Sequence, residues 1–199
     1  VKPGRIVPAV CDIVDIAGLV KGASKGEGLG NQFLANIREC DAIIHVLRCF
    51  DDSGIVHVDG SVDPVRDKEI IDMELQLKDL ETLENRAKRV EKAAREGGDK
   101  AAKIEMDVID TYRKVLLEGK SARTVTFDTE DEMAAAKSLF LLTAKPVLYV
   151  CNVDDKSAST GNEHTARVAE AIKDEDAEML IISAQTEADI AELETYEEK

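Results

Sequence analysis

Residues 15–43 read DIAGLVKGASKGEGLGNQFLANIRECDAI, and the fold is decided there. Asp15 ends the run VPAVCDIVDI (Val7–Ile16), whose Val and Ile content predicts a β-strand. Ala17-Gly18 stops it, and a loop with Gly22, Gly26, Gly28 and Gly30 follows. Residues Asn31–Cys40 are expected to be helical, and DAIIHVLRCF (Asp41–Phe50) to be a second strand. That near-continuous apolar run predicts a parallel strand covered on both faces. A carboxylate at a strand's C-terminal end followed by glycine is a common turn in isolation. The glycine-rich continuation gives it weight, because glycines let backbone approach a ligand closely and let a loop reorganise around it.

Outward from this stretch the periodicity changes. Between Pro64 and Glu96, Ile70, Met73, Leu77, Leu80, Ala87 and Ala94 recur at steps of mostly three and four, with Leu83 and Val90 flanking, which predicts a long helix with a coiled-coil-like stripe. Gly97-Gly98 breaks it. Asp99 can cap a second helix to about Glu118, with Ala101, Ile104, Val108, Tyr112 and Val115 on one face. Two such helices predict an antiparallel hairpin. Thr129 and Glu132 form a capping-box signature for a helix to about Thr143. Then come a strand, PVLYVCN (146–152), a helix near 163–173 and a last strand, EMLIIS (178–183). The layout is an α/β sheet interrupted by a helical arm. The expected divisions are 1–62, 63–120 for the hairpin, and 121–199.

The chain has 199 residues, 44% of them hydrophobic, 4% aromatic and 34% charged, with no Trp. Its core must therefore rest on Ile, Leu, Val and Ala. A net charge of −15 argues against a broad nucleic-acid footprint, though not against a local basic stripe. Arg86, Lys88, Arg89, Lys92 and Arg95 form such a stripe near the tip of the first long helix. Cys11, Cys40, Cys49 and Cys151 lie in or beside apolar stretches without C-x-x-C spacing, so buried free thiols are expected rather than zinc or disulfides. No run approaches membrane-span length, and the acidic composition predicts a cytoplasmic protein.

Two further motifs follow strands. Asn152-Val153-Asp154-Asp155 has N-x-x-D spacing, and Ser183-Ala184 closes the last strand. Each is weak alone. In the order D-x-x-G, N-x-x-D, S-A, each after its own strand, they reinforce one another. With DIAGLVKGASKGEGLGNQFLANIRECDAI, the arm segment HVLRCFDDSGIVHVDGSVDPVRDKEIIDMELQLKDLETLENR, KPVLYVCNVDD and SAQTEADIAEL, the whole chain resembles the YchF/Obg-like ATPase family of P-loop hydrolases.

The resemblance implies a Ras-like sheet and hydrolysis of ATP, or of GTP, as a molecular switch. It implies Mg²⁺ on Asp15, usually through water, Gly18 on the γ-phosphate, and a switch loop of Leu19, Lys21, Gly22, Gly26, Gly28 and Gly30. Asn152, Val153, Asp155, Ser183 and Ala184 would surround the base. Val153 stands where guanine-specific relatives carry Lys, and Asp155 where this family has Glu. Leu19 cannot polarise water, which leaves two candidates to drive hydrolysis: a metal or other cation in the phosphate site, or His57, whose neutral ring could orient the water. His45 is expected to be a core residue and His164 a surface one. No G-x-x-x-x-G-K-S/T occurs, and the opening VKPGRIVPAV reads as the middle of a longer polypeptide. The family's phosphate-binding loop and strand are expected before residue 1, and its TGS domain after residue 199. The stretch by itself is therefore expected to bind nucleotide weakly. The alternatives are an Obg-type GTPase, which shares the glycine-rich loop, and a docking module working through the arm on the ribosome or its RNA.

Overall fold

A computed structural model of the chain describes residues 7, 9–16, 29–55, 57, 60–96, 99–193 and 195. The described elements are α1 (Leu29–Glu39), β1 (Ile43–Arg48), α2 (Pro64–Glu96), α3 (Lys100–Leu117), α4 (Glu130–Ser138), β2 (Val147–Asn152), α5 (Glu163–Ile172), β3 (Glu178–Ile182) and α6 (Ala184–Ala191). The three strands form one parallel sheet in the order β1-β2-β3. The register places Leu47 opposite Cys151, and Arg48 opposite Asn152, which in turn lies opposite Ile182. Among the described residues no helix is long and apolar enough to cross a membrane.

One face of the sheet is built from Leu47, Cys49, Val147, Tyr149, Cys151 and Val153, packed against Val168 and Ile172 of α5 and Val65 of α2. The other face is less covered among the described residues: Ile44 is 50% and Val46 62% exposed on β1, and Leu180 48% on β3. The expectation that both faces of β1 are covered is therefore met on one face only. The strand predicted over Val7–Ile16 is not observed either. Residues 9–16 carry no strand assignment, and Val10, Ile13 and Val14 are exposed. Strand residues need ladder partners, and β1, at the sheet edge, pairs with β2 alone among the described strands. Cys11 is exposed and Cys40 half-buried, so only Cys49 and Cys151 are the buried free thiols expected.

The hairpin is present, with α2 and α3 joined through a cap in which Asp99 accepts hydrogen bonds from the N–H groups of Ala101 and Ala102. The predicted stripe on α2 is met in its second half, where Leu80, Leu83, Ala87 and Val90 pack in the cluster with α3, and is rotated in its first half, where Met73 and Leu77 are exposed while Leu75 and Asp79 are buried. The reason is that α2 serves two neighbours. Its first half packs Ile71 and Leu75 against Leu34 and Ile37 of α1 and against Leu142, and its second half packs Leu83 against Val108, Ile109, Tyr112 and Leu116 of α3. On α3, Val108 and Tyr112 lie on the buried face as predicted, and Ala102, Ile109 and Leu116 join them.

α4 has the predicted capping box between Thr129 and Glu132 but ends at Ser138 rather than near Thr143. The backbone leaves the helix at Phe140, whose φ of +50° lies in the left-handed region, after the Leu139 and Phe140 N–H groups bond back to the Ala136 and Lys137 carbonyls. Asp79 fixes the turn that follows: its carboxylate, 0% exposed, accepts hydrogen bonds from the Leu142 and Thr143 N–H groups, both at 2.8 Å, and from the Thr143 hydroxyl at 2.7 Å.

A second anchor lies where α2 meets the sheet. Glu175, between α5 and β3, accepts hydrogen bonds from Lys68 of α2, from the Tyr149 hydroxyl of β2 at 2.9 Å and from Arg123 at 3.2 Å. Lys68, 4% exposed, also pairs with Asp72 at 2.6 Å. Burial pushes the Glu175 carboxyl up, but Lys68, Tyr149 and Arg123 outweigh it, and the group titrates below its ordinary 4.5.

Two stability measurements test these anchors. Asp79→Asn leaves an NH₂ facing a buried N–H, so the variant should lose about 2 kcal/mol or more of unfolding free energy, read by urea or thermal melting. An unchanged midpoint would show that these donors find other acceptors. Glu175→Gln should cost about 1–3 kcal/mol at neutral pH. A carboxyl whose folded pKa is depressed adds stability above its ordinary range and loses it as pH falls through the folded value. The gap between wild type and variant should therefore narrow below about pH 4.5. A constant gap into stronger acid would assign the loss to packing.

Candidate functional site

The C-terminal ends of β2 and β3 bring together the residues that the sequence separates by thirty positions. Asn152 ends β2 and Ser183 follows β3. The Asn152 side-chain oxygen accepts a hydrogen bond from the Ala184 N–H at 3.0 Å. Ser183 caps α6, its hydroxyl accepting from the Thr186 N–H. The same hydroxyl donates to Asp155 Oδ1 at 2.6 Å, and the Thr186 hydroxyl donates to that oxygen at 2.7 Å. These two bonds hold the Asp155 carboxyl below its usual range, so it is a stable anion on an exposed turn. Asp154 fixes that turn by capping Asp155–Ser157.

Val153 behaves differently from its neighbours. Its N–H extends the β2–β3 ladder to the Ile182 carbonyl at 2.8 Å, and its side chain is buried among the core residues of the sheet. It forms part of the floor beneath the loop.

α5 supports the same loop from below. The Asn162 amide donates to the Cys49 carbonyl at 2.7 Å, joining the start of α5 to the end of β1. Gly161 precedes it at φ +72°, where a Cβ would lie 2.5 Å from Thr165 Oγ1. That oxygen accepts from the Asn162 N–H in the α5 capping box, so a larger residue would break the cap.

The other predicted site residues are placed as follows. Asp15 is exposed, and Gly30 lies in the first turn of α1, which begins at Leu29 rather than at Asn31. Gly18, Leu19, Lys21, Gly22, Gly26 and Gly28 lie outside the described residues. His57 is half-buried and 2.9 Å from Asp67 in the first turn of α2, so it is held at the root of the arm. His45 lies against Tyr149 with ring centroids 5.5 Å apart. His164 reaches Asp51 at 3.3 Å from α5 and is half-buried rather than fully on the surface. Among the described residues no group of three or more His, Cys, Asp or Glu could hold a metal ion. A lone exposed carboxylate such as Asp15 fits a magnesium ion held chiefly by phosphate oxygens and water. Thr186 was not singled out from the sequence, although S-A-x-T after a strand places a hydroxyl in the first turn of a helix beside the capping serine.

A parallel sheet with polar groups gathered at the carboxyl ends of adjacent strands is the place where open α/β folds bind their ligands. Comparison with known proteins carries this further. A family described as "50S ribosome-binding GTPase" matches residues 2–92. The ribosome-binding ATPase YchF of Bacillus subtilis is 47% identical over 201 residues, covering 100% of this chain and 54% of that protein. Obg-like ATPase 1 of Saccharomyces cerevisiae is 46% identical over 174 residues, covering 85% of this chain and 44% of that protein. The solved YchF GTPase of Schizosaccharomyces pombe superposes with a TM-score of 0.76 at 35% identity, over 92% of this chain and 50% of that one. The chain belongs to the YchF/Obg-like ATPase family, a family of nucleoside triphosphatases. It spans about half the length of the curated relatives it matches.

Proposed function

We propose that a full-length protein carrying this sequence binds and hydrolyses a nucleoside triphosphate as a molecular switch, takes ATP at least as well as GTP, and works on the ribosome in the cytoplasm. The observation that carries the reading is the convergence of Asn152, Asp155, Ser183 and Ala184 at the ends of two adjacent strands. Asn152 and Asp155 meet the edge of the base, and Ser183-Ala184 border it. Val153 offers no long cationic stem to lie across guanine, and its side chain is committed to the core.

At the phosphate end, Gly18 meets the γ-phosphate, and Asp15 is the residue that would hold Mg²⁺. The metal, when bound, neutralises charge on the phosphate oxygens. The loop with Leu19, Lys21, Gly22, Gly26, Gly28 and Gly30 answers the presence of the γ-phosphate. Water attacks the γ-phosphorus in line, the bridging P–O bond to the β-phosphate breaks, the nucleoside diphosphate leaves, and the proton of the water passes to the released phosphate. His57 orients the water, and Asp67 selects the tautomer of the ring.

The arm is the docking element for ribosomal RNA. Arg86 pairs with Glu105 and Arg95 with Glu91, while Lys88, Arg89 and Lys92 stand exposed along α2. Those three cations meet phosphates by charge, so binding weakens with salt. Support comes from the ribosome-binding ATPases to which the chain is similar.

Titration with both nucleotides tests the base choice. ATP should bind at least as tightly as GTP; a GTP preference of ten-fold, about 1.4 kcal/mol, would overturn it in favour of an Obg-type GTPase. Reversing Lys88, Arg89 and Lys92 to Glu should cut ribosome co-sedimentation about ten-fold or more and leave hydrolysis intact. Undiminished co-sedimentation would move the docking surface elsewhere.

A further inference from the structure

The base-facing carboxylate is already half occupied. A carboxylate offers about four acceptor positions, two on each oxygen. Asp155 Oδ1 accepts from the hydroxyls of Ser183 at 2.6 Å and Thr186 at 2.7 Å, which fills both of its positions. Among the described residues no protein donor bonds Oδ2. The geometry points to Thr186 as a base-selecting residue: by saturating one oxygen of Asp155 it leaves a single acceptor atom for the incoming base. This rests on the reading of Asp155 as the base-recognition carboxylate.

The consequence follows from the bases themselves. Guanine presents two parallel N–H groups, N1–H and the 2-amino group, spaced to match the two oxygens of one carboxylate. Bidentate pairing of this kind gives both strength and selectivity. It needs a free position on Oδ1, so guanine must displace the Thr186 or the Ser183 hydroxyl. Adenine presents one amino group to an acceptor and asks for one oxygen only. Hypoxanthine keeps N1–H and lacks the 2-amino group, so it too needs a single acceptor. Thr186 thus withholds from guanine the reward for its second donor, while adenine gives up nothing. Ser183 cannot be the adjustable member, because its hydroxyl also caps α6 and its side chain is buried.

The test uses a full-length protein carrying this sequence, with ATP, GTP and inosine triphosphate as probes. The unaltered protein should bind GTP and inosine triphosphate with affinities within about two-fold of one another, because the 2-amino group finds no acceptor. Thr186→Val, which keeps the shape and removes the hydroxyl, should tighten GTP over inosine triphosphate by about ten-fold, the order expected for a hydrogen bond to a charged acceptor. The ratio of ATP to inosine triphosphate affinity should stay within about two-fold in that variant, because each of those bases uses one acceptor, and thermal melting reports that the protein is folded. Thr186→Ser should restore the original ratios. A GTP to inosine triphosphate ratio that Thr186→Val does not move, in a protein whose melting is unchanged, would overturn the role of Thr186 and leave the proposed function standing. Failure of every triphosphate to bind the unaltered protein would overturn the proposed function and this inference with it.

Discussion

The register of β2 against its two neighbours is the constraint from which the site follows. β2 is the central strand, and Asn152 stands opposite Arg48 on one side and Ile182 on the other. The next residue on the β3 side is Ser183, and the Asn152 side chain reaches the Ala184 N–H across that gap. A slip of one residue in either pairing would turn these side chains to the opposite face of the sheet. The site therefore owes its precision to backbone pairing, and its two loops inherit that precision through short side chains with few rotatable bonds.

The arm is tied to the same frame by polar contacts as well as apolar ones. Lys68 on α2 and Tyr149 on β2 both bond Glu175, and Asp79 on α2 holds the turn at Leu142 and Thr143 just before β2 begins. Buried ionic groups are costly unless fully paired, so an arrangement of α2 that left Lys68 or Asp79 without its partners would be strongly disfavoured. An apolar interface would tolerate α2 sliding along its axis. Asp79 and Lys68 each have one place where their partners stand.

Much of this was legible in the sequence, for physical reasons that differ between elements. α2, β2 and the caps at Asp99 and Thr129 depend on local chemistry: periodicity, β-branched runs, and side chains that satisfy nearby N–H groups. The two motifs after β2 and β3 pointed to Asn152, Asp155 and Ser183, which the structure brings together. What failed depended on distant partners. Val7–Ile16 has strand composition, yet a strand exists only with a neighbour to pair with, and composition says nothing of that. The α2 stripe was read as one face for one partner. The helix in fact turns Leu75 to α1 and Leu83 to α3. Asp79 sits where an apolar residue would be guessed, because its partners are backbone groups more than sixty residues away. Thr186 escaped notice because a threonine in the first turn of a helix is commonplace. Only its distance to Asp155 gives it meaning.

The two ends of the proposed nucleotide site are built on different principles, and the difference suits a switch. The base end rests on paired strands, a capped turn and a capped helix, with Asp155 held by two hydroxyls. Groups fixed in this way lose little freedom when a ligand arrives, so they contribute affinity that does not depend on the state of the phosphates. The proposed function assigns the phosphate end to residues 18–30, a stretch with five glycines, Gly18, Gly22, Gly26, Gly28 and Gly30. A ligand shifts an equilibrium only by the difference in its affinity for the two states. If the base end were the responsive part, triphosphate and diphosphate forms would be indistinguishable, since both carry the same base. On the proposed reading, the base end recognises both forms alike, and the γ-phosphate is left to supply the difference in affinity.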